Sequence, residues 1–332
     1  MTVALRHEGD DRVLPFAVEG LDVRGRVVRL GASIDTILER HTYPAPVSRV
    51  LGEAVALTVL LGASLKFEGR FQLQTRSDGP VDMVVVDFDT PDRVRACARF
   101  DAERLAGIAA EGAPSTGTLL GQGHLALTID QGADMARYQG VVALQGQDFQ
   151  EAAHQYFRQS EQIPTFVRLA VGEEFISAEG KARHSFRAGG LIMQFLPKSP
   201  ERMRQADLHP GDALQDQNIT LARVEDDAWT EAKVLAETIE DHELLDPNLS
   251  SERLLYRLFH ERGVRVFEAS AVHEACRCST DRILAMLHRF SPEDRRDMVG
   301  DDGRIGITCE FCSRHYDFDP ATVEAGIEAS QA

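Results

Sequence analysis

A chain of 332 residues exceeds the usual size of one domain, so two or three compact units are expected. Its 43% hydrophobic content supplies a sizeable core, while a net charge of −17 weighs against a nucleic-acid partner, which needs a basic face to neutralise phosphates. The polar start, Met1 to Arg12, has none of the parts of a signal peptide, and the longest apolar run, Ala54 to Ala63, falls short of the ~20 residues of a membrane helix. A soluble, cytoplasmic protein with no membrane partner is the expectation.

Leu14 to Leu30 reads as strand, with Val23 and Val27 offset by Arg24 and Arg26. A helix capped by Ser33 follows, carrying Ile34, Ile37 and Leu38 on one face. After Pro44 and Pro46, Val47 to Leu65 is apolar nearly all round, as a helix inside a core would be. Short strand patterns come next at Arg70–Arg76, Val81–Phe88, Arg93–Phe100, Gly123–Asp130 and Ala136–Leu144, the first two joined by the turn Ser77-Asp78-Gly79-Pro80. Asp148 to Ser160 has helical spacing, with Phe149, Ala152, Ala153, Tyr156 and Phe157 on one side. Strands resume at Thr165–Val171 and Ser185–Leu196, the latter interrupted by Gly189-Gly190. The fold class is α+β: a mixed N-terminal core over 1–198, a helical linker over 199–268, and a small C-terminal domain over 269–332.

The linker is acidic. Glu201 to Ser250 holds 13 acidic and 4 basic residues together with the sole tryptophan, Trp229. Trp229 to Leu245 can form one amphipathic helix through Val234, Leu235, Ile239 and Leu244. Such a polar segment needs a neighbour to fold against.

Four of the five cysteines cluster near the C-terminus as Cys276-Arg277-Cys278 and Cys309-Glu310-Phe311-Cys312. Two close pairs across a spacer are the sequence form of a tetrahedral thiolate zinc site. His273, His288 and His315 are not needed as ligands, and Cys97, alone in a strand pattern, reads as a buried small hydrophobe. Ser279 or Thr280 caps a helix bearing Ile283, Leu284 and Leu287; Ser291-Pro292 starts another. Asp301-Asp302-Gly303 turns the chain into a strand, Arg304 to Thr308, leading to Cys309. A unit this small, Ala269 to Pro320, leans on zinc, whose binding supplies on the order of 10 kcal/mol in comparable sites. Structural zinc and a reversible thiol switch both fit these residues. A thiol–disulfide oxidoreductase using Cys309 and Cys312, and a zinc-ribbon regulator of nucleic acid, are the readings from other classes.

The chain resembles the thirty-three-kilodalton heat-shock protein family of bacteria. The resemblance rests on the C-x-C and C-x-x-C pairs with Tyr316 and Phe318 downstream, and on N-terminal segments that include Val23-Arg24-Gly25, His41-Thr42-Tyr43-Pro44, Leu51-Gly52-Glu53-Ala54 and Ala188-Gly189-Gly190. It implies a redox-regulated, ATP-independent holdase chaperone rather than an enzyme. One zinc per chain, held by Cys276, Cys278, Cys309 and Cys312, keeps the reduced protein inactive. Oxidation pairs Cys276 with Cys278 and Cys309 with Cys312, expels zinc and unfolds the C-terminal region. The active homodimer then binds unfolding or oxidatively damaged proteins, which pass to ATP-dependent foldases. Trp229, Leu235, Ile239 and Leu244 are the expected client-binding residues, with ordinary packing as their alternative role.

Overall fold

The apolar alternation that starts after Asp11 folds as two strands rather than one, β1 (Arg12–Val18) and β2 (Val23–Leu30). A single helical turn at Glu19–Leu21 and a left-handed Asp22, φ 51°, reverse the chain between them. The computed structural model describes residues 9–65, 68–110, 112–132, 135–178, 181–196 and 226–324, the side chains of 176–183 excepted. Much of the acidic linker, residues 201–225, and the tail after 324 therefore lie outside the described residues.

Helix α1 (Ala32–Glu39) starts at Gly31, not at Ser33. Asp11 explains the difference. Its Oδ1 accepts from the backbone N–H groups of Gly31 and Ser33, at 3.1 Å each, and from the Ser33 hydroxyl. A carboxylate from outside the helix thus does the capping, and Ser33 is drawn inside as a buried residue of the first turn.

Helix α2 (Ala45–Gly62) has the length and composition of a membrane span, but 78% of it is buried within the fold. It lies between two sheets, which is why its sequence is apolar on every side. One sheet has the order β10–β1–β2–β9–β8, with β11 also on β1; the other runs β12–β5–β4–β3–β6–β7. Their members are β3 (Arg70–Ser77), β4 (Met83–Asp89), β5 (Arg93–Arg99), β6 (Gln122–Asp130), β7 (Tyr138–Gln145), β8 (Thr165–Ala178), β9 (Lys181–Phe195), β10 (Val264–Val266), β11 (Ser270–Ala271) and β12 (His273–Glu274). Short helices α3 (Ala102–Ala109), α4 (Thr116–Leu120) and α5 (Phe149–Tyr156) connect them, the last capped by Asp148. The three strands that follow Gly263 join sheets built by the N-terminal half.

Strand alternation gives the first sheet two apolar faces. Val13, Val28, Leu30 and Ile192 point to α2, whereas Leu14, Phe16, Val27, Leu191 and Met193 point the other way. That second face is covered by α6 (Asp227–Glu237), α7 (Asp241–Leu245) and α8 (Ser251–Phe259). The single helix expected over Trp229–Leu245 is thus two. Glu240 is extended, and its backbone N–H donates to Glu243 Oε2 at 3.0 Å, a capping box that starts α7 afresh.

Two arginines on this face hold α7 down. Arg29 donates to the carbonyls of Asp246, at 2.6 Å, and Glu243, at 2.7 Å; Arg187 donates to that of Leu245 at 2.7 Å and forks onto Asp10. Positive charge at the free carbonyls of a helix end is favourable, and more so when buried. The glycine pair expected to interrupt β9 instead lets it pass. A Cβ on Gly189 would lie 2.5 Å from the Leu244 carbonyl oxygen, so only glycine allows α7 this close. Gly189→Ala should therefore cost about 1–3 kcal/mol and speed amide exchange over α7 while leaving β3 and β6 protected. Unchanged exchange at α7 would contradict this packing.

Candidate metal centre

The C-x-C loop is launched from the edge of the second sheet. β12 runs parallel to β5, pairing His273 with Arg93 and Glu274 with Val94, and the Ala275 N–H donates to the Val94 carbonyl at 3.0 Å. Cys276 and Cys278 follow at once. The chain then enters α9 (Thr280–Leu287), whose N-cap is Ser279, accepting from the Arg282 N–H at 3.2 Å. A second short helix, α10 (Pro292–Asp297), opens with a capping box between Ser291 and Asp294. The strand expected from Arg304 starts one residue later.

The C-x-x-C loop is the tip of a hairpin formed by β13 (Ile305–Thr308) and β14 (His315–Phe318). The Cys309 N–H donates to the Arg314 carbonyl at 3.0 Å, and the Ser313 N–H donates to the Cys309 carbonyl at 2.8 Å. Ser313 takes a left-handed φ of 54° to close the loop. Beneath it lies a small apolar cluster of Ile283, Leu287, Ile305, Phe318 and Val323, which joins the hairpin to α9.

These elements bring the four thiols together. All four Sγ atoms lie within 4.8 Å of one another, with Cys276 to Cys309 at 3.7 Å and Cys278 to Cys312 at 3.3 Å. Sulfurs around a metal at the usual zinc–thiolate bond length would be spaced by about 3.8 Å. The four are half-buried and none is in a disulfide. Their acidities differ. Burial opposes the Cys278 thiolate, yet hydrogen bonds from the Tyr316 hydroxyl, at 3.2 Å, and from the other thiols bring it down to about 7. Burial first, then the Cys276 sulfur, pushes Cys309 up; burial and the three other sulfurs push Cys312 up. Four thiols this close cannot all ionise unless a cation sits among them, and a soft divalent cation suits that donor set. The residues fit a metal.

Among the described residues, no histidine belongs to the cluster. His315 is engaged by Thr308 and Asp317, and Cys97 is buried in β5, its thiol pushed up to about 12 chiefly by burial. Trp229, Ile239 and Leu244 are buried between the linker helices and the first sheet, with Leu235 partly buried beside them. They are remote in the fold from the thiols, on the other sheet.

Residues not singled out from sequence fasten the cysteine loops to the second sheet. Arg277, between the first two cysteines, places Nη2 2.7 Å from Asp87 Oδ2 and Nε 3.1 Å from Asp89 Oδ2, the latter a charge pair without hydrogen-bond geometry. Asp87 is 1% exposed and also accepts from Gln72 at 2.7 Å and from Arg95 at 2.9 and 2.6 Å. The Arg95 guanidinium stacks on the Phe311 ring, 3.8 Å from its centroid. His41 Nε2 lies 3.2 Å from the Phe311 carbonyl oxygen, which can only accept, so in the neutral ring Nε2 donates and Nδ1 accepts from the Ser313 hydroxyl at 3.1 Å. A charged Asp87 inside the apolar run Val84-Val85-Val86-Asp87-Phe88 was the available signal, though nothing local named its partner.

A model of the Hsp33 protein family matches residues 11–319. The chain is 47% identical over 313 residues to a 33 kDa chaperonin of Caulobacter vibrioides, covering 94% of this chain and 95% of the relative. It is 33% identical over 319 residues to a 33 kDa chaperonin of Photobacterium profundum, covering 95% and 94%. The crystal structure of the 33 kDa chaperonin of Thermotoga maritima superposes with a TM-score of 0.71 at 18% identity, covering 97% of this chain and 99% of that one, a likeness of fold. With matches over nearly its whole length and a four-thiol cluster built by its two cysteine loops, the chain belongs to the Hsp33 family.

Proposed function

We propose that this chain is a redox-regulated, ATP-independent holdase chaperone, inactive while reduced and zinc-bound. The convergence of the four free thiols carries the reading. Zinc, when bound by Cys276, Cys278, Cys309 and Cys312, supplies the charge that lets all four remain thiolates, one ion per chain. Among the described residues, the cluster beneath the hairpin has five buried apolar side chains, few for a unit of this size, so its fold leans on the thiol cluster.

Oxidation is proposed to join Cys276 to Cys278 and Cys309 to Cys312. Each disulfide forms as two thiolates surrender two electrons to an oxidant such as hydrogen peroxide, which leaves as water or hydroxide. Sulfurs in disulfides are poor metal ligands, so the hairpin loses its support and the 269–332 unit unfolds. Its strands β11 and β12, and β10 at the end of the linker just before them, are paired into the sheets of the 1–198 core, so loosening reaches the linker, 199–268, through continuous chain. Trp229, Leu235, Ile239 and Leu244 would then leave the first sheet and become available, with its face, to unfolding proteins in the cytoplasm. The active form is read as a homodimer that later yields its clients to ATP-dependent foldases.

Peroxide with mild heating should release one zinc per chain, form the two neighbouring disulfides, and convert an inert protein into one that suppresses aggregation of a denaturing client. Zinc retained alongside full chaperone activity in the reduced protein would sink this reading. The sole tryptophan offers a second check: buried Trp229 should shift its emission to the red on oxidation and return on reduction with zinc present. Catalytic turnover in an insulin-reduction assay would instead favour an oxidoreductase using Cys309 and Cys312.

A further inference from the structure

Both cysteine loops reach the second sheet through the residues between their cysteines. Arg277 has a thiol on either side, so its backbone path is set wherever those thiols are held. While Cys276 faces Cys309 and Cys278 faces Cys312, the guanidinium sits on Asp87 and Asp89. Phe311, between Cys309 and Cys312, lies on Arg95, which itself forks onto Asp87. The two loops therefore meet at one buried carboxylate of β4. We infer that Asp87, with Asp89 and Arg95, is a docking socket that holds the cysteine loops only in their four-thiol arrangement and so masks the outer corner of the second sheet.

The physical ground is reciprocal. A socket that binds the clustered arrangement better than the alternatives stabilises it by the same free energy with which the cluster stabilises docking. Asp87 is suited to this. It is nearly inaccessible, its charge is shared by two arginines, and a charge-assisted bond in such surroundings is strong. Drawing Cys276 and Cys278 toward each other would turn Arg277 and break its fit, while Asp87 keeps Arg95 and Gln72 and so is not stranded. Release of the socket on oxidation rests on the function proposed above; the docking itself concerns the reduced protein.

Cys97 supplies the reporter. It shares the outward register of β5 with Arg95 and Arg99 yet is buried, next in that register to the arginine on which Phe311 of the second cysteine loop lies. The full-length, reduced, zinc-loaded protein is exposed to a maleimide, and modification of Cys97 is followed by peptide mass spectrometry. Arg277→Gln and Asp87→Asn should each raise the Cys97 rate by about tenfold, and the double variant should add little to either. Arg277→Lys, which keeps the charge, should recover part of the protection. Removing zinc from the wild-type chain with a chelator, with no oxidant present, should expose Cys97 as well.

Unchanged Cys97 labelling in Arg277→Gln would overturn the socket. So would acceleration confined to Asp87→Asn, since that traces to damage within β4; amide exchange in β3 and β6 identifies such damage. If the wild-type chain carries no zinc, the proposed function fails, while the comparison of Arg277→Gln with wild type still decides whether the socket exists.

Discussion

Four thiols held within 4.8 Å of one another are a mutual constraint before they are a ligand set. As anions they repel by several kcal/mol per pair at the effective dielectric of a protein surface, on the order of 4 kcal/mol for two charges 4 Å apart. As neutral thiols they offer only weak hydrogen bonds. A divalent cation resolves the conflict, and the hairpin β13–β14, helix α9 and their five-residue apolar cluster are arranged about that one point.

The N-terminal half provides two separate grips. Its first sheet is apolar on both faces, so the face away from α2 must be covered, and α6 to α8 cover it. Arg29 and Arg187 add direction by catching the carbonyl end of α7, and Gly189 removes the side chain that would hold it off. The second sheet grips by charge instead, through Asp87 and the arginines that converge on it. An apolar grip weakens gradually as contacts are lost, whereas a buried ion pair depends steeply on geometry. The linker and the cysteine loops are thus attached to the same core by interactions that respond differently to disturbance.

Strand addition joins these grips. β10 and β11 lie on β1, and β12 lies parallel on β5, placing the C-x-C loop directly after a backbone-paired residue. Backbone ladders are indifferent to side-chain identity, so Ser270–Ala271 is strand without any apolar alternation, while Val264–Val266 alternates over only three residues, too short a pattern to mark a strand by itself.

The amino-acid order alone determined the elements whose cause is local. The all-round apolar helix α2, the face of α5 through Phe149 and Tyr156, a cap at Ser279 or Thr280 and another at Ser291, and the pairing of cysteines by close spacing all follow from periodicity, capping chemistry and ligand geometry over a few residues. Family resemblance added the frame in which those pieces fit. Tertiary structure alone decided what depends on chain segments far apart: Asp11 replacing Ser33 as the cap of α1, the break between α6 and α7, β9 running through Gly189-Gly190, and Arg277 seated on Asp87, 190 residues earlier. Each turns on a partner that no local pattern names. The four cysteines lie on both sides of that division, since their spacing announced a metal site and only the fold placed the residues between them against the second sheet.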